Sequence, residues 1–407
     1  MSFAGLWESL LPLGRDERTG GYRRYSWTEA DRQCRAWFAA AARDRDLALA
    51  PDGNGNLWAW WGGAPEPGAG AIVTGSHLDS VPDGGAFDGP LGVVSGFAAI
   101  DLLRAAGRTP VRPLGVAAFC EEEGARFGVA CLGSKLLTGA VAPEVARELR
   151  DAGGVSWAGA MAAAGADPAR MGPDGRLLSG IGGYVELHVE QGRALAAPLD
   201  APVGVADRIW PHGRWRFAFT GRADHAGTAR LADRRDPMLP YAATVLAARE
   251  IAGGLGTLAT FGKIVAEPGG VNAVPASVHA WLDARAPDTS LLTGTVDAIR
   301  TVAADAATQH EVDLAVTAES AAPATVFDAA LRDRVTATLT RAGIDAPLLP
   351  TGAGHDAGIL AGRIPTAMLF VRNPTGVSHA PAEHADRADC ELGVTALAAV
   401  LEDLACQ

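Results

Sequence analysis

The chain has 407 residues, too long for one ordinary hydrophobic core, so two domains are expected. Apolar residues make up 48% and charged residues 20%, which suits a globular chain rather than a disordered one. A formal net charge of -12 argues against nucleic acid and anionic membrane surfaces as partners. The five cysteines include no Cys-x-x-Cys pair, and so sparse and odd a set suits reduced thiols. No basic region followed by an apolar stretch opens the chain, and the apolar run near Leu91–Ile100 is interrupted by Gly and Ser and stopped by Asp101. A cytoplasmic location without a membrane segment is the expectation.

Ser26-Trp-Thr-Glu29 has the spacing of a capping box, and helix formers continue over Ala30–Ala42. Leu57–Trp61 reads as a strand, and the Gly/Pro-rich stretch 62–70 as a loop. The apolar run Ala71–Val73 then ends in Thr-Gly-Ser, with His77 and Asp79 following where a buried strand would open into a cleft. Asp88 sits in the glycine-rich turn Gly84-Gly-Ala-Phe-Asp-Gly89, which can hold a carboxylate still beside a metal ion. A metal-bound imidazole needs its second ring nitrogen pinned, and Asp79 could pin His77. The bland alternative is a core histidine beside a capping aspartate.

Gly92–Ala106 reads as a small-residue helix and Leu114–Phe119 as a buried strand ending in Cys120-Glu-Glu-Glu-Gly124. On a solvated helix such a run would be unremarkable. At a strand end, one carboxylate can bind metal while its neighbour takes a proton from water, which is the core of a hydrolytic site. Residues 139–180 read as helices and loops without chemistry. Gly183–Gly192 alternates like a strand and puts Glu186, His188 and Glu190 on one face.

From Trp215 the predicted elements are a strand to Thr220, a helix over Pro240–Ile251, strands at Thr257–Val265 and Val278–Arg285, a helix over Ser290–Thr308 and a strand at Glu311–Ala318. This β-α-β-β-α-β order is that of a ferredoxin-like module, placed at 207–320. The flanking segments, 1–206 and 321–407, form the other domain, which resumes with a helix over Asp328–Ala342. Leu348–Ala357 reads as a loop dense in small residues, Pro365–Val371 as a buried strand, and His379 follows just beyond it.

His77, Asp88, the Glu122/Glu123 pair, His188 and His379 all fall at or after predicted strand ends, a mixture of imidazole and carboxylate that suits two divalent ions sharing one carboxylate. Gly-Ser-His-Leu-Asp-Ser-Val-Pro, Gly-x-Phe-Asp-Gly, Glu-Glu-Glu-Gly-x-Arg-Phe, Glu-Leu-His-x-Glu-Gln-Gly, Asp-His-Ala-Gly-Thr, Gly-Ala-Gly-His-Asp-Ala and Ser-His-x-Pro-x-Glu occur in that order. Over almost its whole length the chain thereby resembles the hydantoinase/carbamoylase family of dinuclear metal amidohydrolases. The resemblance implies an α/β, zinc-peptidase-like catalytic domain with a mostly parallel mixed sheet, and an inserted ferredoxin-like lid and dimerisation domain. It implies two divalent ions per subunit, zinc first, with manganese, cobalt or nickel as alternatives. Asp88 would bridge them, His77 and His188 completing one site and Glu123 and His379 the other. Glu122 would be the general base, Asp79 would orient His77, and His225 of the lid would stabilise the oxyanion, in relatives sometimes across a homodimer. Asn272 and Arg285 match positions that hold the substrate carboxylate, a planar anion suited to an arginine fork. Gln191 and the backbone at Gly354 match further substrate contacts.

Two departures bear on the substrate. Relatives commonly read His-Ala-Gly-Thr-Thr-Pro-Met where this chain has His225-Ala-Gly-Thr-Ala-Arg-Leu231, and allantoate-hydrolysing members typically carry Gly-Gln-Arg-Arg where it has Pro211-His-Gly-Arg214. That favours an N-carbamoyl-L-amino acid over allantoate, ureidoglycolate, N-carbamoyl-β-alanine or an N-acyl amino acid. A metal-containing binding protein without catalysis is the alternative of a different class. Retention of Glu122 beside all five ligand positions weighs against it.

Overall fold

A computed structural model describes residues 2–406, which divide into two compact units. The first comprises the chain up to Asp207 and from Val326 onward; the second is Arg208–Thr325. Among the described residues, no helix is long and apolar enough to cross a membrane.

The first unit is built on a mixed sheet, nine-stranded among the described residues. At its centre Leu114–Phe119, Ala71–His77, Ile181–Val189 and Thr366–Val371 lie side by side and parallel. Leu57–Trp61 and Val203–Ile209 flank them antiparallel. Every residue of Ala71–His77, Leu114–Phe119 and Thr366–Val371 is buried, which is why Ala71–Val73, Leu114–Phe119 and Ala367–Val371 read as apolar runs and not as alternating ones. The helices Pro90–Ala105 and Arg387–Ala405 pack on the sheet and on each other through Leu91, Val94, Leu397 and Leu401. From Ala71–His77 the chain goes first to the strand on one side, Leu114–Phe119, and later to the strand on the other, Ile181–Val189. The order reverses there, and the carboxyl ends of strands at such a point frame a crevice. His77, the Cys120–Gly124 turn and His188 stand at those ends.

The second unit is a four-stranded antiparallel sheet ordered Asp313–Ala322, His212–Thr220, Ser277–Arg285, Leu258–Glu267. The helices Met238–Leu255 and Thr289–Gln309 complete its β-α-β-β-α-β order, and Phe217, Phe219, Leu282 and Ile299 form its own core.

Several local expectations need correction. The first long helix is Glu29–Arg43, capped by Thr28, whose hydroxyl accepts from the Asp31 amide; Ser26 is buried and takes no part in the cap. The second unit ends at Thr325 rather than 320, because its last strand continues to Ala322. Leu348–Thr351 is a strand paired with Val203–Ile209 and Asp356–Leu360 a short helix, where a loop was expected. The strand Val203–Ile209 and the helices Phe3–Leu10 and Arg387–Ala405 are elements that the sequence reading does not identify.

Candidate metal centre

Gly89, at φ 83°, lets the chain turn from Asp88 directly into the helix beginning at Pro90; a Cβ there would lie 2.4 Å from the His77 ring. Asp88 is thus set just before the positive end of a 16-residue helix, beside the strand that carries His77. Its two oxygens face different partners. Oδ1 stands 3.4 Å from His77 Nε2 and 3.3 Å from His188 Nε2, while Oδ2 stands 3.4 Å from His379 Nε2. Glu123 joins the second set, with an oxygen 3.6 Å from His379 Nε2. The structure therefore gathers His77, Asp88 and His188 into one potential ligand group and Asp88, Glu123 and His379 into another. Bonds of 2.0–2.1 Å in a tetrahedral zinc site put ligand atoms about 3.3 Å apart, so these spacings fit a divalent ion.

The neighbouring hydrogen bonds suit that use. The Nδ1 atoms of His77 and His188 stand 3.1 and 2.8 Å from the carbonyls of Asp79 and Val189, which leaves both Nε2 atoms turned toward Asp88. Asp79 stands against His77 as expected, its carbonyl at 3.1 Å and its carboxylate at 3.5 Å from Nδ1. That carboxylate also accepts the amides of Glu122 and Glu123, at 3.2 and 3.1 Å, and so fixes the turn that presents both.

Burial would raise the carboxyl of Asp88, but His188, His379 and His77 outweigh it and hold it well below its ordinary value. Burial, together with Asp356, Glu123 and Asp79, pushes Glu122 well above the carboxylate range despite His77. Burial and Asp88 lift Glu123 to about 7, and the bond to Asp88 lifts His379 to about 9. Burial thus raises Glu122 and Glu123 while the imidazoles keep Asp88 ionised, a set of charges that a divalent cation would change.

Of the residues expected on the His188 face, only His188 reaches Asp88. Glu186 accepts from Ser76 Oγ and the Ala357 amide, and Glu190, beyond the strand end, accepts the amides of Ala194 and Leu195. Gln191 donates to Asp88 Oδ2 at 2.7 Å. Gly354 lies in the exposed turn before His355. His225, Asn272 and Arg285 belong to the second unit. There Asp224–His225 pairs with Ala273–Val274, and the Ala226 amide donates to the Asn272 carbonyl, so His225 and Asn272 are neighbours. Arg285 ends its strand with its guanidinium on Asp283, at 2.8 Å. Two groups in the first unit escaped the sequence reading. Cys131 Sγ stands 3.3 Å from Glu122 Oε1, and Glu383 accepts the amides of Phe87 and Asp88. Only the Ser-His-x-Pro-x-Glu motif hinted at the latter.

Comparison with known proteins places this geometry. Residues 73–403 match the model of peptidase family M20/M25/M40. The chain is 36% identical over 398 residues to an N-carbamoyl-L-amino acid amidohydrolase of Geobacillus stearothermophilus, covering 96% of each chain. It is 32% identical to an allantoate amidohydrolase of Escherichia coli (strain K12), over 98% of this chain and 96% of the other. A solved hydantoinase/carbamoylase-family amidase from Burkholderia vietnamiensis superposes with a TM-score of 0.88 at 30% identity, covering 100% of this chain and 98% of that one. With the family's span covering both ligand groups, the chain belongs to peptidase family M20/M25/M40 and, within it, to the hydantoinase/carbamoylase amidohydrolases.

Proposed function

We propose that this chain hydrolyses an N-carbamoyl-L-amino acid to the amino acid, carbon dioxide and ammonia, using two divalent ions. The observation that carries the reading is the division of the Asp88 oxygens between two donor groups, with the buried Glu122 carboxylate 3.7 Å from His77 Nε2. His77, Asp88 and His188 would hold one ion and Asp88, Glu123 and His379 the other; zinc suits these donors, as do manganese, cobalt and nickel. Divalent cations supply Lewis acidity, which polarises a carbonyl and acidifies water. Glu122 takes a proton from water as the water oxygen bonds to the carbamoyl carbon, then delivers it to the nitrogen whose bond to that carbon breaks. One water is consumed for each amino acid, carbon dioxide and ammonia released.

Arg285 and Asn272 would hold the substrate carboxylate and His225 the developing oxyanion, with Gln191 and the Gly354 backbone as further contacts. The adjacency of His225 with Asn272, in the turn before its paired strand Ala273–Val274, supports a shared role. Arg285→Ala is expected to cost about 1.5–3 kcal/mol of binding to the charged group, a roughly 10- to 150-fold fall in kcat/KM expressed mainly in KM. Steady-state kinetics with substrate and with its carboxamide analogue check this, since the variant should lose most of the preference between them.

Assembly as a homodimer through the second unit is part of the proposal. Its outermost strand, Leu258–Glu267, exposes Leu258, Ile264 and Val265, and the helix Met238–Leu255 exposes Leu239, Leu246 and Leu255. An apolar strand edge of this kind calls for a covering partner. Ile264→Asp is expected to convert the dimer to monomer in light scattering, whereas a monomeric wild type would refute the assembly.

The substrate is tested by ammonia release from the metal-loaded protein over N-carbamoyl-L-amino acids, N-carbamoyl-β-alanine, allantoate, ureidoglycolate and N-acetyl amino acids, with product chromatography for the last. Turnover confined to carbamoyl-L-amino acids is expected. Turnover of allantoate or ureidoglycolate would keep the chemistry and reassign the substrate.

A further inference from the structure

Glu383 lies outside both ligand groups yet touches the residue they share. Its Oε1 accepts the main-chain amides of Phe87 and Asp88, at 2.8 and 2.9 Å. Ser378, from the same loop, places its hydroxyl 3.4 Å from both Asp88 Oδ2 and Glu383 Oε2. Between them in sequence stands His379, whose Nε2 is 3.4 Å from Asp88 Oδ2. His379 has φ 56°, in the left-handed region that a residue with a side chain leaves unless its surroundings hold it there. Its own side chain is 47% exposed, so packing alone does not supply that hold. Ser378 and Glu383 tie this loop directly to the Asp88 turn, and Gln191, from the first unit's central strand end, stands against both Asp88 Oδ2 and His379 Nε2. Gly85 leaves the space that Glu383 needs, since a Cβ there would lie 2.4 Å from Glu383 Cβ and 2.5 Å from its Cδ.

His77 and His188 reach this loop only through Asp88, which they share with His379. They stand on the central strands, with their Nδ1 atoms on main-chain carbonyls. We infer that Glu383 is a positioning residue that sets the separation of Asp88 from His379, and so acts on the second metal ion of the pair, which His379 completes, more than on the first. The inference rests on the proposed two-ion centre.

The test is calorimetric titration of the metal-free full chain with Zn²⁺, with the Co²⁺ absorption spectrum as a second readout. Wild type is expected to take two ions. Glu383→Ala is expected to keep one at near wild-type affinity and to bind the other roughly 10- to 100-fold more weakly. Glu383→Gln is expected to restore it, because the amide oxygen accepts the same two amides and the amide nitrogen can donate to Ser378. Should Glu383→Ala fail to fold, Gly85→Ala decides, since it displaces the Glu383 side chain without removing it and should weaken the same ion. Two ions bound at wild-type affinity by the folded Ala variant would overturn the inference. A wild type that takes up fewer than two ions overturns the two-ion reading, and the inference with it.

Discussion

Glu122→Gln is expected to lower kcat by roughly 10²- to 10⁴-fold while two metal ions remain bound. The substitution keeps shape and volume, and an amide oxygen can still accept from Cys131 Sγ, now 3.3 Å from Glu122 Oε1. The backbone amide keeps its bond to Asp79, so the turn that presents Glu123 is undisturbed. What is lost is the ability to take a proton and return it. In the metal-free chain burial and the neighbouring acids Asp356, Glu123 and Asp79 raise the Glu122 carboxyl, the direction that makes a stronger base. Steady-state kinetics paired with metal analysis of the same sample separates the roles of the two glutamates. Glu122→Gln should lose turnover with metal retained, whereas Glu123→Gln should lose metal as well. Undiminished turnover in Glu122→Gln would remove Glu122 from the mechanism.

How much of this could be read without coordinates follows from where each signal lives. Leu114–Phe119 is legible because a strand buried on both faces is apolar throughout, and Cys120-Glu121 ends it at the crevice; Ala71–His77 is announced by Ala71–Val73 alone, since Thr74, Ser76 and His77 still lie in the strand. Leu348–Thr351 is hidden by Pro350, which cannot donate to a ladder; the strand tolerates it by pairing only with Val203–Ile209, off the main path of the sheet. Val203–Ile209 is itself obscured by Asp207 and Arg208, whose charges break its apolar run. Asp79 is legible only in part: its contact with His77 follows from their spacing, but its bond to the amide of Glu122, more than forty residues on, does not. Glu383 is further still from its partners, 296 residues from Phe87, and no local pattern can announce a bond to a main-chain amide at that separation.

Removal of metal is the other large expected effect, on stability as well as turnover. The centre buries Asp79, Asp88, Glu122, Glu186, Asp356 and Glu383 in one unit, with His77, His188 and His355 among them. Without cations burial pushes the carboxyls of Glu122 and Asp356 well above the carboxylate range, and keeping such acids in a buried setting costs free energy. A ligand bound only by the folded state stabilises it by about 4 kcal/mol when present at a thousand times its Kd, so two ions held that tightly contribute about 8 kcal/mol. Dialysis against a chelator is expected to abolish ammonia release and lower the midpoint of thermal unfolding by many degrees, with both restored by Zn²⁺, Mn²⁺ or Co²⁺. The pH dependence has a definite sign. In the metal-free chain His379 holds its proton up to about 9 and Glu123 up to about 7. Each must shed that proton to bind an ion, so apparent metal affinity falls as pH falls through 9 and again through 7. Metal titration in weak buffer at neutral pH should therefore release protons, and Asp88→Ala, which removes the carboxylate common to both groups, should abolish the release together with the thermal shift. An Asp88→Ala protein that still took up two ions would show that the two groups do not share a ligand.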